Sequence, residues 1–186
     1  MKERIAQSAI GEIMQRGLKF SIRDVAARLG ISTKSIYQFF DSKEQIIGYL
    51  VDRCIADMRD AEKEVMDDPV LTPRQKLEKA LVILPRGIVF PDIRVLHEVK
   101  VKYPNQWEKA DTYLEQGWDN IRMLVREGMA EGSLRPFDLD VFIQMYIGAL
   151  NHLMDYRVST RMGLSLEKAL VQMVEIMLQG IENKVV

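Results

Sequence analysis

The stretch SIRDVAARLGISTKSIYQFFDSKEQII, Ser21 to Ile47, decides how the rest of the chain is read. Ser21 offers a side-chain oxygen to the free amides at the start of a helix over residues 22–29, and Gly30 stops that helix. Ser32 or Thr33 caps a second helix, which runs through Ile36 to Phe39. Ser42 and Gln45 are spaced as a capping box for the next. Two short helices crossing steeply need a small residue where they touch, and Ala26 supplies it. They also need a turn residue that tolerates a left-handed backbone, Gly30, and an apolar anchor on the second helix, Ile36. Val25, Leu29 and Ile31 complete the small core. The outward face of the second helix then carries Thr33, Lys34, Ser35, Tyr37 and Gln38, side chains able to donate to phosphates and base edges. The same spacing also suits a plain helical hairpin whose polar face meets only water.

Outward from this stretch the apolar spacing is helical almost throughout, and no alternating run is long enough for a strand. Ile5, Ala9 and Ile13 recur every four residues, and Gly17 closes that helix. A long helix runs from Ser42 towards Met66 and breaks at Asp67-Asp68-Pro69. Thr72-Pro73 opens a helix that Pro85 and Gly87 interrupt. Pro91 starts a short one through Tyr103, and Pro104 starts an amphipathic stretch expected to continue to Gly132. Asp138 caps a helix through Leu153, and the last runs from near Ser165 to Ile181. The expected architecture is all-α with about nine helices. It divides into a three-helix head at residues 1–47 and a larger helical body at 48–186.

Composition limits the function classes. Apolar residues make up 47% and charged residues 28% of the chain, enough to build a core and a solvated surface. One cysteine, Cys54, rules out an internal disulfide framework and fits a reducing, cytoplasmic setting. No apolar run approaches a membrane span, and residues 1–17 lack the apolar core of a signal peptide. The formal net charge is −1, unlike a protein that coats nucleic acid indiscriminately. Residues 1–50, however, hold eight Lys/Arg against five Asp/Glu, leaving 18 against 22 for the remainder. His97 and His152 lack partners at metal-ligand spacing, and no phosphate loop or catalytic triad stands out. No metal, cofactor or catalytic residue is therefore expected.

Residues 21–47 resemble the DNA-binding segment of the TetR family of bacterial transcriptional regulators. That pattern runs Thr or Ser, Arg two later, Ile/Val-Ala, Gly-Val/Ile-Ser, a few polar residues, Leu/Ile-Tyr, aromatic positions, then Ser-Lys-Glu. The chain departs from it at Gln38 and Phe39, where the family often has His or Tyr. The resemblance implies a DNA-binding regulator rather than an enzyme. Tyr37, Lys43, Ser35 and Ser21 would contact phosphates, with Gln38 beside them, while Thr33, Lys34 and Arg23 would approach bases. A surface arginine pairing with Asp24 is the alternative for Arg23.

The resemblance also implies a homodimer through the last two long helices. The residues support this independently, because apolar side chains between 139 and 154 cover more than one helix face. Two functional readings follow, and a third, a helical enzyme or signalling protein whose head is vestigial, is disfavoured by the lack of catalytic groupings. The first is a repressor released from a DNA operator by a small, largely apolar effector. Such a compound would be lined by Leu96, Tyr103, Trp107, Trp118, Met123, Met145 and Tyr146, and anchored by His97, Asn151 and His152. Packing alone also accounts for the aromatic residues. The second reading is a family member without a small-molecule effector, acting architecturally or through a protein partner.

Overall fold

The computed structural model describes residues 1–85 and 93–182, and within them the chain is helical. There are eleven α-helices and one 3-10 turn among the described residues, with a lone antiparallel bridge between Leu134 and Glu182. In order they are α1 (Lys2–Arg16), the 3-10 turn Gly17–Lys19, α2 (Ile22–Leu29), α3 (Thr33–Tyr37), α4 (Lys43–Asp67) and α5 (Pro73–Leu81). There follow α6 (Ile93–Lys102), α7 (Pro104–Gln116), α8 (Asp119–Ala130), α9 (Leu139–Leu153), α10 (Tyr156–Met162) and α11 (Leu166–Gln179). The expected helix start at Pro91 and the breaker Gly87 lie outside the described residues.

The caps explain most of these boundaries. Thr72 and Gln75 form a reciprocal capping box ahead of Pro73, as the Thr-Pro pair suggests. Asp138 accepts from the Val141 amide and Ser165 from the Lys168 amide, opening α9 and α11. In the second half of the chain two features differ from the sequence reading. The stretch expected to run unbroken from Pro104 to Gly132 divides at Gly117-Trp118, where the Gly117 amide bonds the Tyr113 carbonyl at 3.1 Å. A β-carbon at Gly117 would come within 2.9 Å of that same carbonyl, so the break needs glycine. The second is α10, which the apolar pattern did not announce.

Packing groups the chain into two compact units. One comprises residues 1–56 with 85–111, the other residues 57–84 with 112–186. Helices α4 and α7 each contribute to both. The first unit contains α1 to α3, the N-terminal half of α4, and α6. Its interior includes Ile5, Phe20, Val25, Ile36, Ile46 and Ile47, all essentially inaccessible.

The second unit is built around Leu77, Leu124, Val125, Leu134, Leu170 and Leu178, drawn from α5, α8, α11 and the turn after α8. Its chain end is tied down by the Arg135 amide donating to the Ile181 carbonyl at 2.9 Å. Arg74 also donates to the Glu182 carboxylate. Trp118 and Tyr146 meet edge to face, 5.2 Å between ring centroids, and the Tyr146 hydroxyl donates to the Leu81 carbonyl at 2.7 Å. Burial pushes the Tyr146 phenol above its ordinary pKa, which favours the neutral, donating form.

The Tyr146 bond yields a stability expectation. Tyr146→Phe removes the donor but leaves the Leu81 carbonyl buried, which should cost about 1–3 kcal/mol. Urea unfolding followed by circular dichroism measures this. A variant as stable as the parent would show that the carbonyl finds water instead.

Candidate nucleic-acid interface

The first three helices are held together by apolar packing with a few polar ties. Ser8 on α1 donates to the Val25 carbonyl on α2 at 3.2 Å, inside the core. Glu12, only 3% exposed, receives Arg28 from α2 at 3.0 Å and Arg16 from its own helix at 3.1 Å. A carboxylate so far from water survives because cations meet it. Gly11 makes room for this: a β-carbon there would stand 2.6 Å from the Arg28 guanidinium. The charge of Glu12 gave no sign that it is interior, although it lies on the same side of α1 as the buried Ser8 and Ala9.

Ser21 begins α2 with a full capping box. Its hydroxyl oxygen accepts the Asp24 amide at 3.3 Å, while the Asp24 carboxylate accepts the Ser21 amide at 2.7 Å and its hydroxyl at 2.6 Å. Those Ser21 bonds hold the Asp24 carboxyl below its ordinary pKa. Asp24 also meets Arg16 at 3.3 Å, so its close cation is Arg16 rather than the adjacent Arg23. Gly30 closes α2 at φ 67°, ψ 31°, the left-handed region, and the Ile31 amide reaches back to the Ala26 carbonyl at 3.1 Å. Ala26 is buried at the crossing and Ile36 is 0% exposed beneath α3, as the spacing suggested.

Ser32, rather than Thr33, caps α3 by accepting the Ser35 amide at 3.1 Å. Helix α3 ends at Tyr37, two residues earlier than expected, with Gln38 as its cap. The cap of α4 is also modified. Ser42 accepts the Gln45 amide at 3.2 Å, but the Gln45 side chain returns to the Asp41 amide at 2.9 Å instead of to Ser42.

The proposed DNA-facing residues fall into two groups. Arg23, Lys34, Tyr37 and Gln38 are exposed, and Thr33 and Ser35 are half-buried. Tyr37, at 51% exposure, stands out from a short helix whose apolar neighbour Ile36 is sealed in. Ser21 and Lys43 are committed internally. The Ser21 hydroxyl is spent on Asp24. The Lys43 ammonium donates to the Leu18 carbonyl at 2.5 Å and the Phe20 carbonyl at 2.7 Å, and lies 4.3 Å from the Phe20 ring centroid. Burial lowers the Lys43 pKa from its ordinary value.

The candidate effector residues divide between the two units. In the first unit Leu96, His97 and Tyr103 are half-buried. Trp107 is buried, with its indole N–H given to Asp111 at 2.9 Å and the Lys100 ammonium 5.7 Å from its ring. In the second unit Trp118 and Tyr146 are buried together, the indole N–H of Trp118 donating to the Leu114 carbonyl at 2.6 Å. Asn151 is half-buried, and its side-chain oxygen is inaccessible with no hydrogen-bond partner among the described residues. Met123, Met145 and His152 are on the surface.

Comparison with known proteins agrees with this geometry. Residues 5–50 match the family model described as bacterial regulatory proteins, tetR family. An uncharacterized HTH-type transcriptional regulator, YvaF of Bacillus subtilis, is 27% identical over 181 residues, covering 97% of this chain and 95% of the relative. The HTH-type transcriptional repressor KstR2 of Mycolicibacterium smegmatis is 28% identical over 145 residues, 75% of this chain and 70% of that protein. The solved structure of the TetR family transcriptional regulator PfmR from Thermus thermophilus superposes with a TM-score of 0.69 at 20% identity. It covers 97% of this chain and all of its own. Residues 5–50 thus match the DNA-binding segment of the tetR family of bacterial regulatory proteins, and the fold of the chain is similar to that of a TetR-family regulator.

Proposed function

We propose that the chain is a dimeric repressor whose α3 enters the major groove of an operator and leaves it when a small, largely apolar effector binds the body. The observation that carries the DNA half is the exposure of Lys34, Tyr37 and Gln38 on a helix anchored by the fully buried Ile36. Arg23 and Lys34, with Thr33, are the base readers in this proposal, and an arginine fork suits the acceptors of guanine. Tyr37, Ser35 and Gln38 position the head on phosphates. A cytoplasmic location follows from the role, since the operator is chromosomal; no helix among the described residues is long and apolar enough to cross a membrane.

Helices α9 and α11 carry the proposed dimer interface. Val141, Met145, Gly148 and His152 recur along one exposed face of α9, with Met145 61% exposed, and a β-carbon at Gly148 would meet nothing within 4 Å. On α11 the outward apolar residues are Val171 and Ile176, the latter 70% exposed. Val174, which the apolar pattern of that helix allows on the outer side, is only 1% exposed and belongs to the unit's own core. Pairing α9 and α11 of two protomers as a four-helix bundle covers these groups and sets two heads at half-sites.

The effector half rests on the apolar and aromatic character of the body, with Asn151 as the polar anchor. Its action is a shift between two populations, limited by the ligand's differential affinity for them. Because Met123, Met145 and His152 are exposed rather than part of an interior lining, the reading without an effector keeps a specific observation in its favour. Thermal-shift screening of apolar compounds, followed by DNA release, separates the two. Compounds that stabilise the body and free DNA support the first reading; stabilisation with unaltered DNA affinity supports the second.

Two further outcomes are expected. Arg23→Ala and Lys34→Ala should relax base preference by about 1–3 kcal/mol at particular positions. Tyr37→Phe should instead weaken binding to all duplexes alike. Quantitative gel shifts on variant duplexes check this, and unchanged binding in all three variants would contradict the interface. Ile176→Glu should give folded monomers in sedimentation, whereas Val174→Glu should unfold the body. A folded monomer from Val174→Glu would place the interface wrongly.

A further inference from the structure

The resemblance to the family implies that Lys43 grips a phosphate, yet a lysine doing so keeps its ammonium in water near the duplex. Here the ammonium is turned inward. It sits on the carbonyls of Leu18 and Phe20, over the Phe20 ring, and the side chain is only part-exposed. Leu18 belongs to the 3-10 turn after α1, and Phe20 ends that turn in an extended conformation, φ −62°, ψ 156°. Carbonyls at the end of a helix or turn lack helical partners and present partial negative charge, so a cation is their natural cap. Phe20 also immediately precedes Ser21, the cap that starts α2, and its ring is buried. One side chain from α4 thus fixes the backbone on the threshold of the helix-turn-helix. Helix α6 packs on the same turn, and its Glu98 and Lys102 act on the ammonium with opposite signs.

We propose that Lys43 is a positioning residue, which clasps the carbonyls of Leu18 and Phe20 and so sets where α2 begins, rather than a phosphate contact. The clasp rests on the DNA-binding reading only for its consequence in affinity; its existence is a property of the free protein. Losing it lets residues 18–24 sample other entries into α2, so the head binds DNA less often in a competent arrangement. Neutralising a phosphate contact would act differently, by releasing fewer counterions and flattening the dependence of binding on salt.

The experiment uses the full chain with Lys43→Gln and Lys43→Arg, each checked for helix content. Hydrogen exchange without DNA should quicken at the amides of residues 20–25 in the Gln variant. It should recover in the Arg variant, whose fork has donors for both carbonyls. Lys43→Met keeps the stem over Phe20, so it carries the same comparison should Gln unfold the chain. Binding is then measured against a duplex recovered from a random pool with the wild-type chain, at several salt concentrations. Lys43→Gln should weaken binding roughly tenfold, about the worth of one charge-assisted bond, with the salt slope unchanged and with Arg restoring affinity. Unaltered exchange, or a slope falling by about one, would overturn the clasp and return Lys43 to the phosphate. A wild-type chain that recovers no duplex would overturn the DNA-binding reading alone, because the exchange data still decide the clasp.

Discussion

A helix of five residues has too few backbone bonds to hold its shape in water, so α3 exists only because something else holds it. Ile36 is the holding point: full burial of such a side chain contributes about 2–3 kcal/mol, and here it is fully buried, as Val25 and Ala26 of the neighbouring α2 nearly are. The crossing that brings them together depends in turn on Gly30, whose left-handed backbone lets the chain reverse within one residue. Everything proposed for recognition rests on this small seat. If Ile36 were looser, Lys34 and Tyr37 would have no fixed direction in which to present themselves.

Polar ties then convert the seat into a rigid head. Glu12 could have been a liability, a carboxylate taken from water, but Arg28 and Arg16 reach it from two helices and bind α1 to α2. Such pairs add little net stability over an apolar alternative, yet they demand one geometry, and the orientation of α2 on α1 is what recognition needs. The Ser21–Asp24 box and the Lys43 ammonium work on the same short span, residues 18–24. Their shared effect is to define where α2 starts.

Local signals were legible in the sequence and non-local ones were not. Ser21, Ala26, Gly30 and Ile36 could be assigned because each answers a steric demand within ten residues or so, and the caps Thr72, Asp138 and Ser165 for the same reason. Asp24 was read as a neighbour of Arg23, because its reach back to the Ser21 amide depends on a cap geometry that spacing alone leaves open. Glu12, Val174 and the inward turn of Lys43 depend on which helix lies alongside, and nothing in the spacing carries that. The break at Gly117 was hidden because an amphipathic pattern continues across it; only the close Tyr113 carbonyl shows why glycine stands there. The exposure of Met123, Met145 and His152 has the same origin, since their helical faces were legible and their packing partners were not.

The central claim is that residues 21–40 read duplex DNA, and selection from a random duplex pool by the purified full-length chain tests it most directly. The account expects enrichment of a sequence with two-fold related halves about one helical turn or a multiple apart, and loss of that enrichment with Lys34→Ala and Arg23→Ala together. A pool that stays random with a folded, dimeric chain, or an enriched sequence that the double variant recovers equally well, would contradict it.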